Sequence, residues 1–285
     1  MSKKSYEKRI ESICDYIYKH LDQDLSTESL SKVANFSKYH FHRQFTEYTG
    51  ICVYQFVQLL RLKRASYQLV YSKDYKHIDI ALDAGFENPE SFSRAFKKKF
   101  GQTPSEFREN PKWKPWHQRY RFNQNRGNDA MQINILEFPE TKIAVLEHRG
   151  DPELLNDSVS RFMEWRKESK LSPVKTSHTY GLAYDDPKAT KPETFRFDIC
   201  GAVKSEVPAN KQNVVNKVIP GGRCAVVRHT GPHELMGSKV HYLYAEWLPE
   251  SGEELRDFPC FFHYINLFPD VAEHELITDI YLPLK

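Results

Sequence analysis

Through the first hundred residues, apolar side chains recur every three to four positions, which is the period of an amphipathic α-helix. The first such run covers residues 6–20. A short helix is expected after an N-cap at Ser26 or Thr27, and another after Ser37. Gly50 ends this third helix, at a position that favours a left-handed backbone. Two short helices separated by a turn of three to four residues form the helix-turn-helix pattern.

The sequence pattern of the third helix recurs 51 residues later. SKYHFHRQFTEYTG, which begins at Ser37, aligns with NPESFSRAFKKKFG, which begins at Asn88. The residues shared at this offset are Phe41 and Phe92, Arg43 and Arg94, Phe45 and Phe96, and Gly50 and Gly101. The second copy has its own first helix around Ala81, a turn at residues 84–86 and a second helix over 91–100. The first hundred residues therefore predict an all-α domain with two helix-turn-helix motifs.

The segment between the two copies, residues 53–70, contains no proline or glycine and predicts one continuous helix. A connector of about 20 residues spans roughly 30 Å at 1.5 Å per residue. Successive major-groove faces of B-DNA lie about 34 Å apart. One connector of this length could therefore present both second helices to adjacent turns of a duplex.

After residue 131 the pattern changes to short apolar strands that alternate with Gly/Pro corners and helices. KIAVLEHRGDPELL, from Lys142, and RCAVVRHTGPHELM, from Arg223, form a second internal repeat in which His148 aligns with His229. This half predicts an α+β domain of two pseudo-repeated modules with an antiparallel sheet and one main helix each. We expect the first domain over 1–110, a linker over 111–130 and the second domain over 131–285.

Charge separates the two halves. Residues 1–126 hold 23 Lys and Arg against 14 Asp and Glu, whereas the remainder holds 18 against 24. This asymmetry suggests that the first half meets a polyanion, although a simple drift of charge along the chain is the alternative. The sequence has no run of eighteen apolar residues and no signal-peptide pattern, and its five scattered cysteines favour a reducing cytoplasm.

Residues 6–110 resemble the DNA-binding domain of the AraC family of transcription regulators. The likeness rests on LSTESLSKVANFSKYHFHRQFTEYTG, on the connector LLRLKRASYQL and on IALDAGFENPESFSRAFKKKFGQTPSEFR. In that family, exposed residues of each second helix enter the major groove of double-stranded promoter DNA. Carried over by position, the base readers are Tyr39, His42 and Arg43 in the first copy and Glu90, Ser91 and Arg94 in the second.

Each of these arginines has an alternative role, since a phosphate contact positions a protein on DNA without reading sequence. Arg is suited to guanine O6 and N7, and Glu to cytosine N4. Lys97 and Lys98 are expected to neutralise the DNA backbone, with a solvated charged helix face as the alternative. Pro89 stands where many relatives have a polar reader, which weakens a base contact from that position.

Residues 131–285 resemble the gyrase-inhibitor-like effector-binding domain, and the order of the two domains is Rob-like. The likeness is carried by GLAYDDP, FRFDIC, IPGGRCAVVRHTGP and TDIYLPL. It implies an aromatic groove between the modules that binds small lipophilic molecules, often cations. The candidate effector-binding residues are Glu164, Trp165, Tyr244, Trp247, Phe262 and Tyr264.

Phe262 departs from the family pattern, because relatives commonly carry a glutamate there that offsets the charge of a cationic ligand. Three alternatives follow: a neutral aromatic ligand, charge supplied by Glu164 or Glu246, or a groove filled by Phe262 that binds nothing. Trp165, Trp247 and Tyr244 could equally belong to the module core. Strand alternation places Phe262 on the face opposite His263.

These observations predict a cytoplasmic, sequence-specific transcription regulator that senses a small molecule or a protein partner, RNA polymerase among the candidates. We expect no enzyme activity, no cofactor, no metal and no membrane contact. His40 and His42 diverge by about 200° on a helix, so they cannot chelate one metal ion. The alternatives for the second half are a small-molecule hydrolase, as some gyrase-inhibitor-like domains are, and a pure protein-interaction module.

Overall fold

The computed structural model describes residues 3–72, 74–113 and 131–285, apart from the side chains of 3–8, 38 and 39. The chain divides into two compact units. Unit 1 comprises Met1–Asn128 with Phe268–His274, and unit 2 comprises Asp129–Leu267 with Glu275–Lys285. Most of the predicted linker, including Trp116, lies outside the described residues.

Unit 1 is helical. In chain order its described helices are α1 (Lys3–Lys19), α2 (Thr27–Val33), α3 (Lys38–Thr49), α4 (Val53–Tyr71), α5 (His77–Asp83), α6 (Pro89–Phe100) and α7 (Pro104–Glu109). The pairs α2–α3 and α5–α6 are the two predicted helix-turn-helix motifs, and α4 is the predicted connector.

The connector α4 contributes to two separate hydrophobic cores. Its first half buries Phe56 and Leu60 in a cluster with residues of α1, α2 and α3. Its second half buries Leu62 and Leu69 in a cluster with residues of α5, α6 and α7. Each motif therefore has its own core, and the continuous backbone of α4 joins the two.

Unit 2 is built on one antiparallel sheet of eight strands in the order β1-β6-β8-β7-β3-β4-β2-β5. The strands are β1 (Ile133–Phe138), β2 (Thr141–Arg149), β3 (Thr179–Ala183), β4 (Arg196–Ala202), β5 (Val215–Ile219), β6 (Gly222–Thr230), β7 (Cys260–Tyr264) and β8 (Ile277–Pro283). Helix α8 (Leu155–Ser169) belongs to the first module, and α9 (Gly237–Tyr242) and α10 (Leu248–Ser251) to the second.

The two modules match each other in backbone detail. His148 and His229 are both buried, and each donates Nε2–H to a carbonyl three residues on, at 3.1 Å to Asp151 and 2.9 Å to Pro232. The glycines that follow these two strands both have positive φ, 117° at Gly150 and 116° at Gly231. The fold class predicted from the repeats is therefore confirmed for both units.

Two details differ from the sequence predictions. Helix α6 begins at Pro89 and is capped by Asn88, whose side chain accepts from the Ser91 amide, so it starts two residues earlier than expected. The helix of the second module is interrupted by a π-helical turn over Leu243–Trp247. The interruption has a local cause, because Pro249 follows it and has no N–H to bond a carbonyl one turn back.

Candidate functional site

Helices α3 and α6 have the same kinds of cap at both ends. The side chain of Ser37 accepts from the amide of His40 at 3.4 Å, and that of Asn88 accepts from the Ser91 amide at 2.8 Å. Gly50 and Gly101 close the helices with φ of 77° and 74°. Because both ends are fixed alike, the two helices present corresponding residues in the same way.

Phenylalanines anchor each helix, and charged side chains face solvent. Phe41 and Phe45 on α3 are buried, and so are Phe92, Phe96 and Phe100 on α6. On the opposite sides, the exposed residues from the predicted set are His42, Arg43, Glu90, Arg94, Lys97 and Lys98. This division fits a helix that packs on one side and contacts a polyanion on the other.

Two of the predicted base readers, Ser91 and Tyr39, are not among these exposed residues. Ser91 is half-buried, and its hydroxyl donates to the Asn88 carbonyl at 2.9 Å, so it is engaged in the helix cap. The side chain of Tyr39 lies outside the described residues.

Arg61 of α4 links the loop between α1 and α2 to the turn of the second motif, and the sequence analysis did not identify it. Its guanidinium donates to the carbonyls of Leu21 and Gln23, each at 2.8 Å. The same guanidinium lies against Gly85, where a Cβ atom would come within 2.6 Å of Arg61 Nη1. Gly85 also has a φ of 78°. The left-handed backbone of this turn therefore favours glycine. Burial lowers the pKa of Arg61.

The predicted effector residues fall into two groups. Trp165, Trp247, Phe262 and Tyr264 lie in one hydrophobic cluster between the sheet and the helices of unit 2. Phe262 is only 8% exposed. Phe261, its neighbour on β7, belongs to the cluster on the opposite face, as strand alternation predicts. Tyr244 is 39% exposed on the π-helical turn.

The sheet side of this cluster includes residues that the sequence analysis did not identify. Gly181 of β3 pairs with Phe262 of β7, and its missing side chain leaves room for Phe197 and Tyr264. A Cβ atom at this glycine would lie 2.5 Å from Phe197 Cζ and 2.9 Å from the Tyr264 hydroxyl. His233 adds a wall, with its ring 4.9 Å from that of Tyr264.

Aromatic rings and neutral phenols dominate the surface around Phe262. The ring of Phe197 stacks on that of Phe262 at 6.2 Å, and Tyr264 lies 6.4 Å away on the other side. Burial raises the pKa values of the Tyr264 and Tyr244 phenols, which therefore stay protonated at neutral pH. The thiol of Cys260 contributes to the rise at Tyr244.

Carboxylates of unit 2 are engaged away from this surface. The side chain of Glu164 is 57% exposed, and its carboxylate lies 4.0 Å from Lys211 Nζ. Asp198 is fully buried and accepts from Arg149 at 2.8 Å, while Asp279 accepts from both ends of the Arg228 guanidinium. Asp198 and Asp279 alternate along their strands with Phe197 and Ile280 of this cluster, so they lie on the other face of the sheet.

A depression of about 280 Å³ opens beside the C-terminal end of α8. Trp165 and Leu171 supply its apolar wall, and Glu168 and Lys211 form an ion pair of 2.8 Å at its rim. Across the described ranges, no group of three His, Cys, Asp or Glu residues is arranged to hold a metal ion. No described helix is long and apolar enough to cross a membrane.

Two family models match the chain, and similar proteins cover its parts. Residues 131–285 match the GyrI-like small molecule binding domain, and residues 30–110 match a helix-turn-helix domain. The probable transcriptional regulator YgiV of Escherichia coli strain K12 is 49% identical over 157 residues, which are 55% of this chain and 98% of that protein.

Two further proteins are more distant. The right origin-binding protein of Escherichia coli strain K12 is 29% identical over 154 residues, covering 53% of this chain and 50% of its own. The cryo-EM structure titled as an EcmrR–DNA complex in EcmrR-RPo is 17% identical, with a TM-score of 0.46 and coverage of 91% of this chain and 98% of that one.

Proposed function

We propose that this chain, which belongs to the GyrI-like small molecule binding domain family and is a helix-turn-helix transcription regulator, reads promoter DNA through α3 and α6 and responds to a small, neutral, lipophilic molecule. The relatives named above include a probable transcriptional regulator. On this proposal the protein works in the cytoplasm, where bacterial promoter DNA is found. The proposed domains keep the bounds expected from the sequence, 1–110 and 131–285, with a linker over 111–130.

The DNA-reading part of the proposal rests on the matched geometry of α3 and α6. Both helices have the same caps and the same buried phenylalanines, and both carry an exposed arginine at the equivalent position, Arg43 and Arg94. Helix α4 contains 19 residues, or about 28 Å of length, which suits two adjacent turns of a major groove. One monomer would therefore contact two unequal half-sites.

Selection from a random duplex pool tests this part directly. The full chain should enrich sequences with two motifs separated by about one helical turn. A pool that stays random, or a single motif with no second half-site, would overturn the two-helix reading.

The neutral character of the ligand rests on the charges around Phe262. The buried carboxylates of this unit, Asp198 and Asp279, lie on the other face and are paired with Arg149 and Arg228. Aromatic faces alone attract a cation by only about 0.5–2 kcal/mol. A neutral aromatic or lipophilic molecule therefore suits this surface better than a cation.

Phe262→Glu tests that assignment in the full chain. The variant should gain binding of tetraphenylphosphonium, measured by fluorescence quenching, while the unaltered chain binds it at least tenfold more weakly. Ile265→Glu, at an exposed position near the end of the same strand, is the matched control and should gain nothing. Equal binding by the unaltered chain would contradict a neutral-ligand groove, and no gain in the Phe262 variant would favour a groove filled by aromatic packing.

Two rival roles for unit 2 are separated by further measurements. A hydrolase would turn over reactive esters and would lose turnover on substitution of Tyr264 or Glu164; we expect no turnover. A pure interaction module would give no small-molecule hit in a thermal-shift screen, because only a ligand of the folded state raises the Tm. If the protein contacts RNA polymerase, transcription from a selected site in vitro should change on its addition.

A further inference from the structure

Two histidines from different modules meet at the centre of unit 2, on the face opposite Phe262. His178 immediately precedes β3, and His263 lies on β7. A hydrogen bond of 3.0 Å joins His263 Nε2 and His178 Nδ1, and the two rings are nearly perpendicular, at 75°. A cation bound by both nitrogens would take the place of the shared proton. The residues are 85 positions apart in the chain, so no local sequence pattern indicates the pair.

Both backbones are fixed by the sheet. The carbonyl of His178 accepts from the amide of Ala202 at 2.9 Å, and His263 is paired with Tyr180 in the β3–β7 ladder. The ring of Tyr180 also stacks on that of His263, with a centroid distance of 4.7 Å. His178 is exposed, so its ring is open to an incoming ion.

The separation of the two nitrogens is close to that of two neighbouring ligands on one cation. Imidazole nitrogens lie about 2.0–2.1 Å from Zn²⁺ in proteins, and at such distances nitrogens 3.0 Å apart subtend an angle of about 90–97° at the ion. A tetrahedral ion would need the nitrogens about 3.3 Å apart. The right angle is the one between neighbouring ligands in tetragonal N,O sites, which favour Cu²⁺ and Ni²⁺.

From this geometry we propose that His178 and His263 form a two-histidine site for a tetragonal divalent cation, Cu²⁺ binding more tightly than Ni²⁺. The bound cation would join the two modules across the β3–β7 ladder. Asp279 lies opposite His263 on β8, but both of its carboxylate oxygens are held by Arg228 at 2.7 and 2.8 Å. The remaining positions on the cation are left to water or to an outside donor.

Titration of the untagged full chain with Cu²⁺ in a glycine buffer, followed by calorimetry, tests the proposal. We expect one equivalent to bind, and His178→Ala and His263→Ala each to weaken binding at least tenfold. His241→Ala, which removes another exposed histidine of unit 2, should leave the affinity unchanged. Binding to His178→Ala as tight as to the unaltered chain, or an equal loss in His241→Ala, would overturn the site.

Electron paramagnetic resonance supplies a second readout that does not depend on affinity alone. The bound Cu²⁺ should show hyperfine coupling to two nitrogen donors in the unaltered chain and to one in His178→Ala. If His263→Ala fails to fold, His178→Ala still decides the outcome, because an exposed side chain is removed. A spectrum unchanged by His178→Ala would contradict coordination by the pair.

Discussion

Gly181 faces Phe262 across the ladder between β3 and β7, and the two residues occupy equivalent positions in the two modules of unit 2. Gly181 pairs with Ile199 of β4 just as Phe262 pairs with Ile280 of β8. The pair thus marks the point about which the repeat is arranged. One member supplies a large ring to the aromatic cluster, and the other supplies the space into which neighbouring rings extend.

Gly181→Ala is expected to destabilise unit 2. The added Cβ would overlap the ring of Phe197 and the hydroxyl of Tyr264, and overpacking of this kind costs about 1–3 kcal/mol. Denaturant unfolding followed by tryptophan fluorescence measures the change. Gly237→Ala is the control, since a Cβ there has nothing within 4 Å. An unchanged midpoint for Gly181→Ala would mean that this glycine is not needed for the packing on the sheet side of the aromatic cluster.

Gly101→Ala should loosen the end of α6. This residue has a φ of 74°, and a left-handed backbone costs an L-residue about 1 kcal/mol or more. A Cβ atom there would have no neighbouring atom within 4 Å, so the loss of stability comes from the backbone conformation alone. Hydrogen exchange of the last turn of α6 should quicken. Exchange rates equal to those of the unaltered chain would contradict this reading of the cap.

Arg94→Ala should reduce discrimination at one base-pair position of the selected DNA site, with a loss of about 1–3 kcal/mol there. Arg43→Ala should do the same at a position in the other half-site. Gel shifts on a set of single-base variants measure both effects. If either substitution weakens every sequence equally, that arginine is a phosphate contact, the role expected of Lys98.

The stability of unit 2 should fall as the pH drops below the ordinary histidine pKa of about 6.5. Burial lowers the pKa of His148, so the folded state binds fewer protons than the unfolded state in the range below that value. Stability is therefore present above about pH 6.5 and is lost as the pH falls toward the lowered pKa. Burial also lowers the pKa of His263, to about 4, so His148→Gln should reduce the steepness of the dependence of Tm on pH without abolishing it. An equally steep dependence in this variant would assign the effect to other groups.

The sequence predicts local features of this protein better than its contacts between strands. The offset repeat of Phe41 and Phe92 was sufficient to place both second helices, because periodicity and caps are encoded within a dozen residues. The partnership of Gly181 with Phe262 and the approach of His178 to His263 depend on strand pairing across some eighty residues. Such register is set by the whole sheet. The π-helical turn has a local cause in Pro249, but the helical period of the surrounding residues hides it.

Phe262 changes the ligand that is expected at this cluster. The sequence shows the missing glutamate, and the structure adds that Glu164, one candidate replacement, is exposed and close to Lys211. Glu246 is exposed as well. We therefore expect neither Glu164 nor Glu246 to offset the charge of a ligand at Phe262, because the packing of α8 and of the π-helical turn against the sheet leaves both side chains exposed.

The salt dependence of DNA binding by the full chain tests the central claim most directly. Each neutralised phosphate contributes close to one unit to the slope of log K against log salt. Lys97 and Lys98 are each expected to neutralise a phosphate, so we predict a slope of about −2 or steeper on a selected duplex. A slope near zero, or no binding to the selected duplex at low salt, would contradict the assignment of α3 and α6 as DNA-reading helices.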